Sequence, residues 1–347
     1  MVKRLLFFAA LLVASSAGAQ DLHFTQYHMS PLTLNPAFTG VFNGNMRLTA
    51  NYRNQWQSIL PTVPFRTLAG AAELSGRSGQ DNRIGAGLHV FTDKAGSLDL
   101  SKTQVSGSLA YTMALSRNRD YYLAAGFQAN FNQASFDYLK ITTGSQFIEG
   151  THDELAPTGE SFSYGNHSYV DAGLGILWYH IASVRSYQYI GGSAFHVNRP
   201  NISFLDNSVD KLYAKYVVHA GAGFKVGART DIVPHLLAMK QGPSLEVNGG
   251  GFMKFILDER KNSAFGGTAF YIGPFYRIVG DVNKPIFNDA IILATKLDIN
   301  AVTIGLSYDV NISTAVAGTS GRGGPELAIQ YIQNFKGKRT KAFCPKF

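Results

Sequence analysis

Apolar residues alternate with polar or small residues along most of this chain, in a series of short segments. In the segment 102–116, Val105 and Leu109 fall on one face, whereas Gln104 and Ser108 fall on the other. Successive side chains of a β-strand point to opposite faces, so a period of two predicts strands. Each segment has about ten residues, which is long enough for a tilted strand to cross a bilayer.

The pattern predicts one all-β domain. The predicted strands are 45–53, 65–76, 82–92, 102–116, 121–134, 168–181, 186–198, 214–227, 230–240, 244–257, 265–278, 286–297, 300–313 and 326–335. In hydrocarbon every backbone N–H and C=O must be paired within the protein, which a closed sheet achieves with apolar side chains only at alternate positions. The mean hydropathy of −0.03 agrees with such a half-polar wall. We therefore expect a transmembrane antiparallel β-barrel of about 14 strands.

The connections and the aromatic residues support this fold. Outer-membrane barrels have short turns on the periplasmic side and longer loops outside, and the connections here alternate in that way. The longest, 135–167, is the predicted surface loop, whereas the short turn 241–243 breaks the alternation and marks a place where strands could be wrongly assigned. Aromatic residues near strand ends, such as Trp178 and Tyr179, suit the membrane interface. A soluble β-sandwich with an aromatic core is the alternative. The final strand, which ends in Phe335, favours the barrel.

The two ends of the chain differ from this body. A basic start, an apolar stretch and small residues predict a signal peptide that is cleaved between Ala19 and Gln20. The next segment contains Pro31 and Pro36, so it should be irregular, and its many apolar residues should pack inside the barrel mouth or against a periplasmic partner. The predicted divisions are 1–19, signal peptide; 20–44, irregular N-terminal segment; 45–335, barrel; and 336–347, basic periplasmic tail.

The positive charge belongs mainly to the ends of the chain. The formal net charge is +8, but two of the 31 basic residues lie in the signal and five lie in the tail, which leaves 24 basic against 23 acidic residues in the body. This distribution gives no support to a nucleic-acid-binding surface. Charged residues on the face opposite the apolar one, such as Arg47, Arg53 and Glu246, should face the lumen or lie at the membrane edges. The single cysteine, Cys344, excludes an internal disulfide.

No motif predicts an enzyme, a cofactor or a metal site. His152, Asp153 and Glu154 have metal-binding side chains, but adjacent residues in a loop do not converge on one ion without help. The sequence lacks a G-x-S-x-G elbow, an H-E-x-x-H helix, a C-x-x-C pair and a phosphate-binding loop. We therefore assign no catalytic, cofactor-binding or metal-binding residue, although a catalytic set assembled from separate strands stays possible in principle.

Several residue strings resemble a known family. They are Phe24-Thr25-Gln26-Tyr27, Ser30-Pro31-Leu32, Leu34-Asn35-Pro36-Ala37-Phe38-Thr39-Gly40, Tyr52-Arg53-Asn54-Gln55-Trp56 and the ending Cys344-Pro345-Lys346-Phe347. In these strings the chain resembles the PorP/SprF family of outer-membrane barrels associated with the type IX secretion system. The resemblance implies a non-enzymatic role, either within the trans-envelope machinery or in export and surface attachment of substrates with a C-terminal sorting domain, including gliding adhesins. The alternative is a porin or channel for small or hydrophobic solutes.

We hypothesise that both ends of the chain contact other proteins. The proposed contact residues are Tyr27, Asn35, Pro36, Phe38, Lys338, Arg339, Lys341 and Lys346. The expected partners are periplasmic ring proteins of the secretion system, a secreted substrate with a sorting domain, or both. The protein should reside in the outer membrane of a Gram-negative bacterium, with both termini periplasmic and the long loops extracellular. The sequence does not decide whether the lumen is open or plugged.

Overall fold

The computed structural model describes most of the chain after the predicted signal peptide. The described residues are 21, 23–55, 57, 64–78, 82–96, 98–137, 140, 142, 144–148, 151–153, 155–157, 159, 165–183, 185–204, 208–258, 267–281, 286–314, 316–335 and 344. The predicted signal peptide, the cleavage site at Ala19 and Gln20, and the tail residues Lys338, Arg339, Lys341 and Lys346 lie outside them. Within the described part of the chain, no helix is both long and apolar enough to span a membrane.

Fourteen antiparallel strands form a closed barrel, which confirms the predicted fold. Each strand pairs with its neighbours along the chain, and the first strand closes the barrel on the last through the register Met46↔Gln333 to Arg53↔Glu326. The wall strands are β1 Met46–Gln55, β2 Phe65–Ser78, β3 Asn82–Ala95, β4 Leu100–Ala114 and β5 Tyr121–Ser135, then β8 Asn166–Ser183, β9 Ser186–Phe195, β10 Lys215–Lys225, β11 Thr230–Gln241, β12 Ser244–Asp258, β13 Thr268–Asp281, β14 Phe287–Ile299, β15 Val302–Asn311 and β16 Arg322–Gln333. A small hairpin, β6 Phe147–Ile148 and β7 Thr151–His152, lies in the connection after β5.

The two faces of the wall differ in polarity. In β1 the inward residues Arg47, Asn51 and Arg53 are buried, whereas the outward residues Leu48 and Tyr52 are 39% and 40% exposed. The alternation of apolar and polar residues in the sequence therefore produces a wall with an apolar outer surface and a polar inner surface. The alternative of a soluble β-sandwich is wrong, because the sheet is single and closed and its apolar side chains face outward.

The connections define two different ends. We call the end at which β1 begins and β16 ends the turn end, because it carries short turns such as 226–229. The opposite end, which we call the loop end, carries the connections 136–165 and 196–214. The doubtful turn at 241–243 lies at the loop end, and its strands β11 and β12 pair continuously up to Gln241↔Ser244. Both strands were therefore correctly predicted.

One part of the wall has an interrupted ladder. The pairing of β12 with β13 lacks the two positions between Gly250↔Phe275 and Met253↔Ile272, a stretch that includes Pro274. On the other side of β12, Gly251 stands opposite Pro234 of β11. Proline has no backbone N–H to give to a neighbouring strand, which accounts for the break in the β12–β13 ladder beside Pro274, whereas the pairing of β11 with β12 continues through Pro234↔Gly251.

Candidate functional site: the plugged lumen

The N-terminal segment occupies the lumen, and we call residues 21–45 the plug. The plug contains two 3-10 turns, Tyr27–Met29 and Pro36–Phe38, and one short helix, Pro31–Leu34, so it is as irregular as predicted. Each proline stands at the first position of its helical turn, where a missing N–H costs nothing. Nearly all plug residues are buried.

The plug threads the barrel from one end to the other. Asp21 contacts Lys102, Lys215 and Gln241, all of which lie at the loop end. The plug then joins β1 at the turn end, where the N–H of Asn45 donates to the carbonyl of Gln333. Asp21 therefore lies at the loop end, whereas Cys344 contacts the plug near the turn end. That both termini are periplasmic stays a prediction.

Asn35 anchors the middle of the plug to the wall. Its Oδ1 accepts the N–H of Ala37 at 2.8 Å and so caps the following turn. Its Nδ2 donates to the carbonyls of Ile176 at 2.9 Å and Gly192 at 3.2 Å, and lies 3.0 Å from His219 Nε2. A single fully buried carboxamide thus joins the plug to β8, β9 and β10.

Two wall glycines allow the plug to approach this closely. A Cβ at Gly175 of β8 would lie 1.9 Å from Asn35 Oδ1, and a Cβ at Gly126 of β5 would lie 2.4 Å from the carbonyl of Pro36. Both distances are far below van der Waals contact, so no side chain fits at either position. The wall is therefore shaped for this particular segment.

Charged side chains of the wall hold the part of the plug nearer the loop end. The carboxylate of Glu326 accepts the backbone N–H of Thr25 at 2.8 Å and that of Gln26 at 2.9 Å. The Thr25 hydroxyl donates to Asp309 at 2.9 Å, and Asp309 pairs with Arg277 at 2.8 Å. These carboxylates accept hydrogen bonds from the plug. The polar groups of the lumen are therefore complementary to the donor groups of the N-terminal segment.

Asp21 forms the end of the plug at the loop end. It pairs with Lys102 at 2.8 Å and with His196, whose other ring nitrogen lies 3.1 Å from Asp171. Burial opposes ionisation of Asp21, but Lys102 and His196 outweigh it and hold the pKa of Asp21 well below its usual value. Burial likewise opposes charge on His196, yet the flanking carboxylates of Asp171 and Asp21 raise its pKa above 6.5. This anchor is therefore ionic.

A buried ion pair holds the plug near the turn end. Arg47 and Glu73 form a two-point pair, with nitrogen to oxygen distances of 2.7 and 2.8 Å. Arg47 also donates to the carbonyl of Phe38 at 3.3 Å, and Glu73 accepts the N–H of Gly40 at 3.1 Å. The pair thus fixes the last part of the plug between β1 and β2.

Apolar contacts complete the docking. Tyr27, Leu34, Phe38 and Val41 of the plug share one core cluster with wall residues, among them Leu237. A second cluster, which lines the inner face of β11 to β14, contains Val233, Phe252, Ala269, Tyr271, Phe275, Ala290, Ile292 and Ala294. The ring of His28 packs against Phe252 at 5.1 Å and stacks on His235 at 5.3 Å. The inner wall therefore presents apolar surface to the plug in two places, the wall residues of the first cluster and the sector formed by the second cluster.

The structure brings four of the hypothesised contact residues together. Tyr27, Asn35 and Phe38 are at most 4% exposed, and Pro36 is buried beside them in the lumen. A partner could reach them only if the plug moved, so their role in partner contact stays a prediction. Arg47, Arg53 and Glu246 face the lumen as predicted. Sequence reasoning missed Glu73, Asp309 and Glu326 as plug anchors, although their inward strand positions were readable from the alternation.

No metal centre is evident in the ordered barrel and plug. Across the described ranges, no group of three or more His, Cys, Asp or Glu side chains is arranged to hold a metal ion. His152 and Asp153 lie in the connection between β5 and β8, and Glu154 lies outside the described residues. The site that the structure offers is therefore a plugged lumen.

Comparison with known proteins places the chain in a family. No curated protein matches its sequence. Its fold is similar to a deletion mutant of the TodX monoaromatic hydrocarbon channel (11% identity, 88% of this chain and 94% of that chain covered, TM-score 0.48), a FadL homologue from Pseudomonas aeruginosa (9%, 86% and 92%, 0.47) and the CymD monoaromatic hydrocarbon channel (11%, 93% and 96%, 0.44). These likenesses are too distant to inform function. A family model described as "Type IX secretion system membrane protein PorP/SprF" matches residues 16–331. The chain therefore belongs to the PorP/SprF family of type IX secretion system membrane proteins.

Proposed function

We propose that this protein is a non-enzymatic outer-membrane component of the type IX secretion system that supports export or surface anchoring of sorting-domain-bearing proteins. It acts by holding other proteins while its own lumen stays closed. Beyond family membership, the observation that supports this proposal is the plug, which passes through the whole lumen and is fixed to the wall at several levels.

The docking contacts favour a closed lumen. Hydrogen bonds to charged groups contribute about 1.5–3 kcal/mol each, and the plug makes such bonds to Glu326, Asp309 and Glu73. The carboxamide of Asn35 and the ion pairs of Asp21 add independent anchors. With so many separate contacts, the plug should leave the lumen rarely unless a partner replaces them.

The proposed orientation puts the turn end in the periplasm and the loop end outside the cell. Short turns on the periplasmic side are the rule for outer-membrane barrels. The basic tail then faces the periplasm, where its cations could contact ring proteins of the secretion system or a substrate in transit. The plug residue Asp21 would lie toward the outside of the cell, so we assign the periplasmic contact to the tail rather than to the plug.

A channel for small hydrophobic solutes is the second candidate. The apolar sector formed by Val233, Phe252, Phe275 and Ile292 favours it, because a hydrophobic solute in the lumen would contact this surface. In this structure His28 of the plug covers that sector. A channel function would therefore require the plug to move during transport.

Reversal of the tail charge tests the first candidate. We expect the double variant Lys338→Glu with Arg339→Glu to insert normally, as judged by heat-modifiable migration, but to lower the surface level of a sorting-domain protein several-fold. Co-purification with other secretion components should fall in parallel. The matched control is Lys94→Glu with Lys211→Glu, which makes the same charge change at exposed positions of the loop end. Equal secretion in both variants and in the unmodified protein would count against the tail as a contact surface.

A further inference from the structure

Cys344 is followed by three residues in the sequence, is buried at the turn end of the barrel and is only 5% exposed. Its backbone N–H donates to Asn43 Oδ1 at 2.6 Å, and its backbone carbonyl accepts from Asn43 Nδ2 at 2.8 Å. One carboxamide thus satisfies both backbone groups of Cys344, as a neighbouring strand would in a sheet. Asn43 belongs to the plug, close to its junction with β1.

The side chain of Cys344 also has specific neighbours. Arg83 Nη1 lies 3.3 Å from its sulfur, and the same nitrogen donates to the carbonyl of Phe42 at 3.1 Å. Cys344 shares a core cluster with Tyr179 of the wall. Cys344 further belongs to the core cluster that contains Phe38 and Val41 of the plug. The residue therefore contacts the wall and the plug at the same time.

We propose that Asn43, Arg83 and Tyr179 form an intramolecular binding site for the C-terminal segment, and that docking of Cys344 there latches the plug. The plug continues directly into β1 at the turn end. Movement of the plug out of the lumen toward that end must therefore displace Asn43, which Cys344 contacts. Arg83 strengthens the coupling, because one guanidinium group binds both the plug carbonyl of Phe42 and the thiol. By linkage, a docked tail stabilises the plug and a docked plug stabilises the tail to the same extent.

This inference goes beyond the proposed secretion role and does not depend on it. The latch between the two chain ends would operate in the same way whether the barrel anchors proteins or conducts solutes. Displacement of the tail, by whatever means, would loosen the plug from the turn end while leaving the wall strands paired.

The latch can be tested on the purified full chain, because Cys344 is the only cysteine. In nanodiscs, we expect a maleimide to label Cys344 about tenfold or more slowly than in the urea-unfolded chain. Asn43→Ala should accelerate labelling by about tenfold, since both backbone hydrogen bonds are lost. The matched control is Asn118→Ala, an exposed asparagine in the turn between β4 and β5 at the same end. Labelling as fast in the native as in the unfolded chain, or no effect of Asn43→Ala, would overturn the binding site.

The coupling to the plug needs its own measurement. Hydrogen exchange of the peptide 23–30, which lies toward the far end of the plug, should accelerate several-fold in Asn43→Ala and stay unchanged in Asn118→Ala. Both variants must first show the heat-modifiable migration of a folded barrel. If Asn43→Ala exposes Cys344 but leaves exchange at 23–30 unchanged, the tail binds without latching the plug and the coupling is refuted.

Discussion

The substitution Gly175→Ala should weaken docking of the plug in the lumen without disturbing the barrel. The new methyl carbon would lie 1.9 Å from Asn35 Oδ1, where ordinary contact begins near 3.4 Å, so the carboxamide must retreat by about 1.5 Å. Such a shift breaks the hydrogen bonds of Asn35 to Ile176 and Gly192 and pulls the cap away from Ala37. The outward face of β8 and its ladder to the neighbouring strands are unaffected.

The magnitude follows from the lost contacts. Loss of an N-cap costs about 0.5–2 kcal/mol, and each of the two further hydrogen bonds contributes about 0.5–1.5 kcal/mol, which together weaken docking by about 1.5–5 kcal/mol. Since about 1.4 kcal/mol is a factor of ten, the undocked population should rise by at least about tenfold and at most about 4,000-fold. The backbone amides of the plug should exchange with solvent correspondingly faster, as measured by mass spectrometry on protein in nanodiscs.

Gly107→Ala is the matched control for this prediction. Gly107 lies on the outward face of β4, and a Cβ there would meet no atom within 4 Å. It therefore reports the general cost of alanine for glycine in a wall strand. If plug exchange in Gly175→Ala equals that in Gly107→Ala, with both barrels folded, then the close fit at Gly175 does not hold the plug and the reasoning is refuted.

Three further predictions concern other parts of the same account. First, because the flanking carboxylates raise the pKa of His196, its protonated ring should hold Asp21 at low pH and release it as pH rises through the raised pKa. Protection of the amides at 23–26, corrected for the intrinsic pH dependence of hydrogen exchange, should therefore fall as the ring loses its proton. His196→Gln should remove this fall, and the same fall in His196→Gln would contradict the assignment. Second, Glu73→Gln leaves Arg47 buried without its counter-charge and should destabilise the barrel by about 3–5 kcal/mol, which lowers the midpoint temperature of heat modification. Glu326→Gln should loosen the plug with little effect on that temperature. Equal midpoint temperatures in the two variants would argue against separate roles of Glu73 in the wall and Glu326 in plug docking. Third, amides near Gly251 should exchange faster than those near Gly107, because the β12–β13 ladder is interrupted there; uniform protection of the two strands would show that the interruption has no dynamic consequence.

The wall of this barrel could be predicted because its signal is local. Alternation within β4 or β15 identifies a strand without knowledge of any other segment, and a bilayer fixes the strand length. The apolar content of 20–44 likewise predicted that the segment would be covered by protein. Even the inward charges Arg47 and Glu246 followed from the same period of two.

The plug contacts were not predictable in the same way, because they depend on closure of the whole barrel. Gln26 and Glu326 are separated by 300 residues, and they meet only because β16 closes on β1. Gly175 is indistinguishable in sequence from other strand glycines until a neighbour approaches it. Cys344 sits in a basic tail, where a single cysteine carries no signal for docking. These contacts require the register of fourteen strands at once.

Ion conductance across a planar bilayer tests the central claim most directly, namely that the barrel is closed by its own plug. The purified full chain should insert without stable conducting steps, whereas a variant that lacks residues 21–44 should conduct in uniform steps through its polar lumen. Equal, stable conductance of the full chain and of the variant would contradict the claim and favour the solute channel.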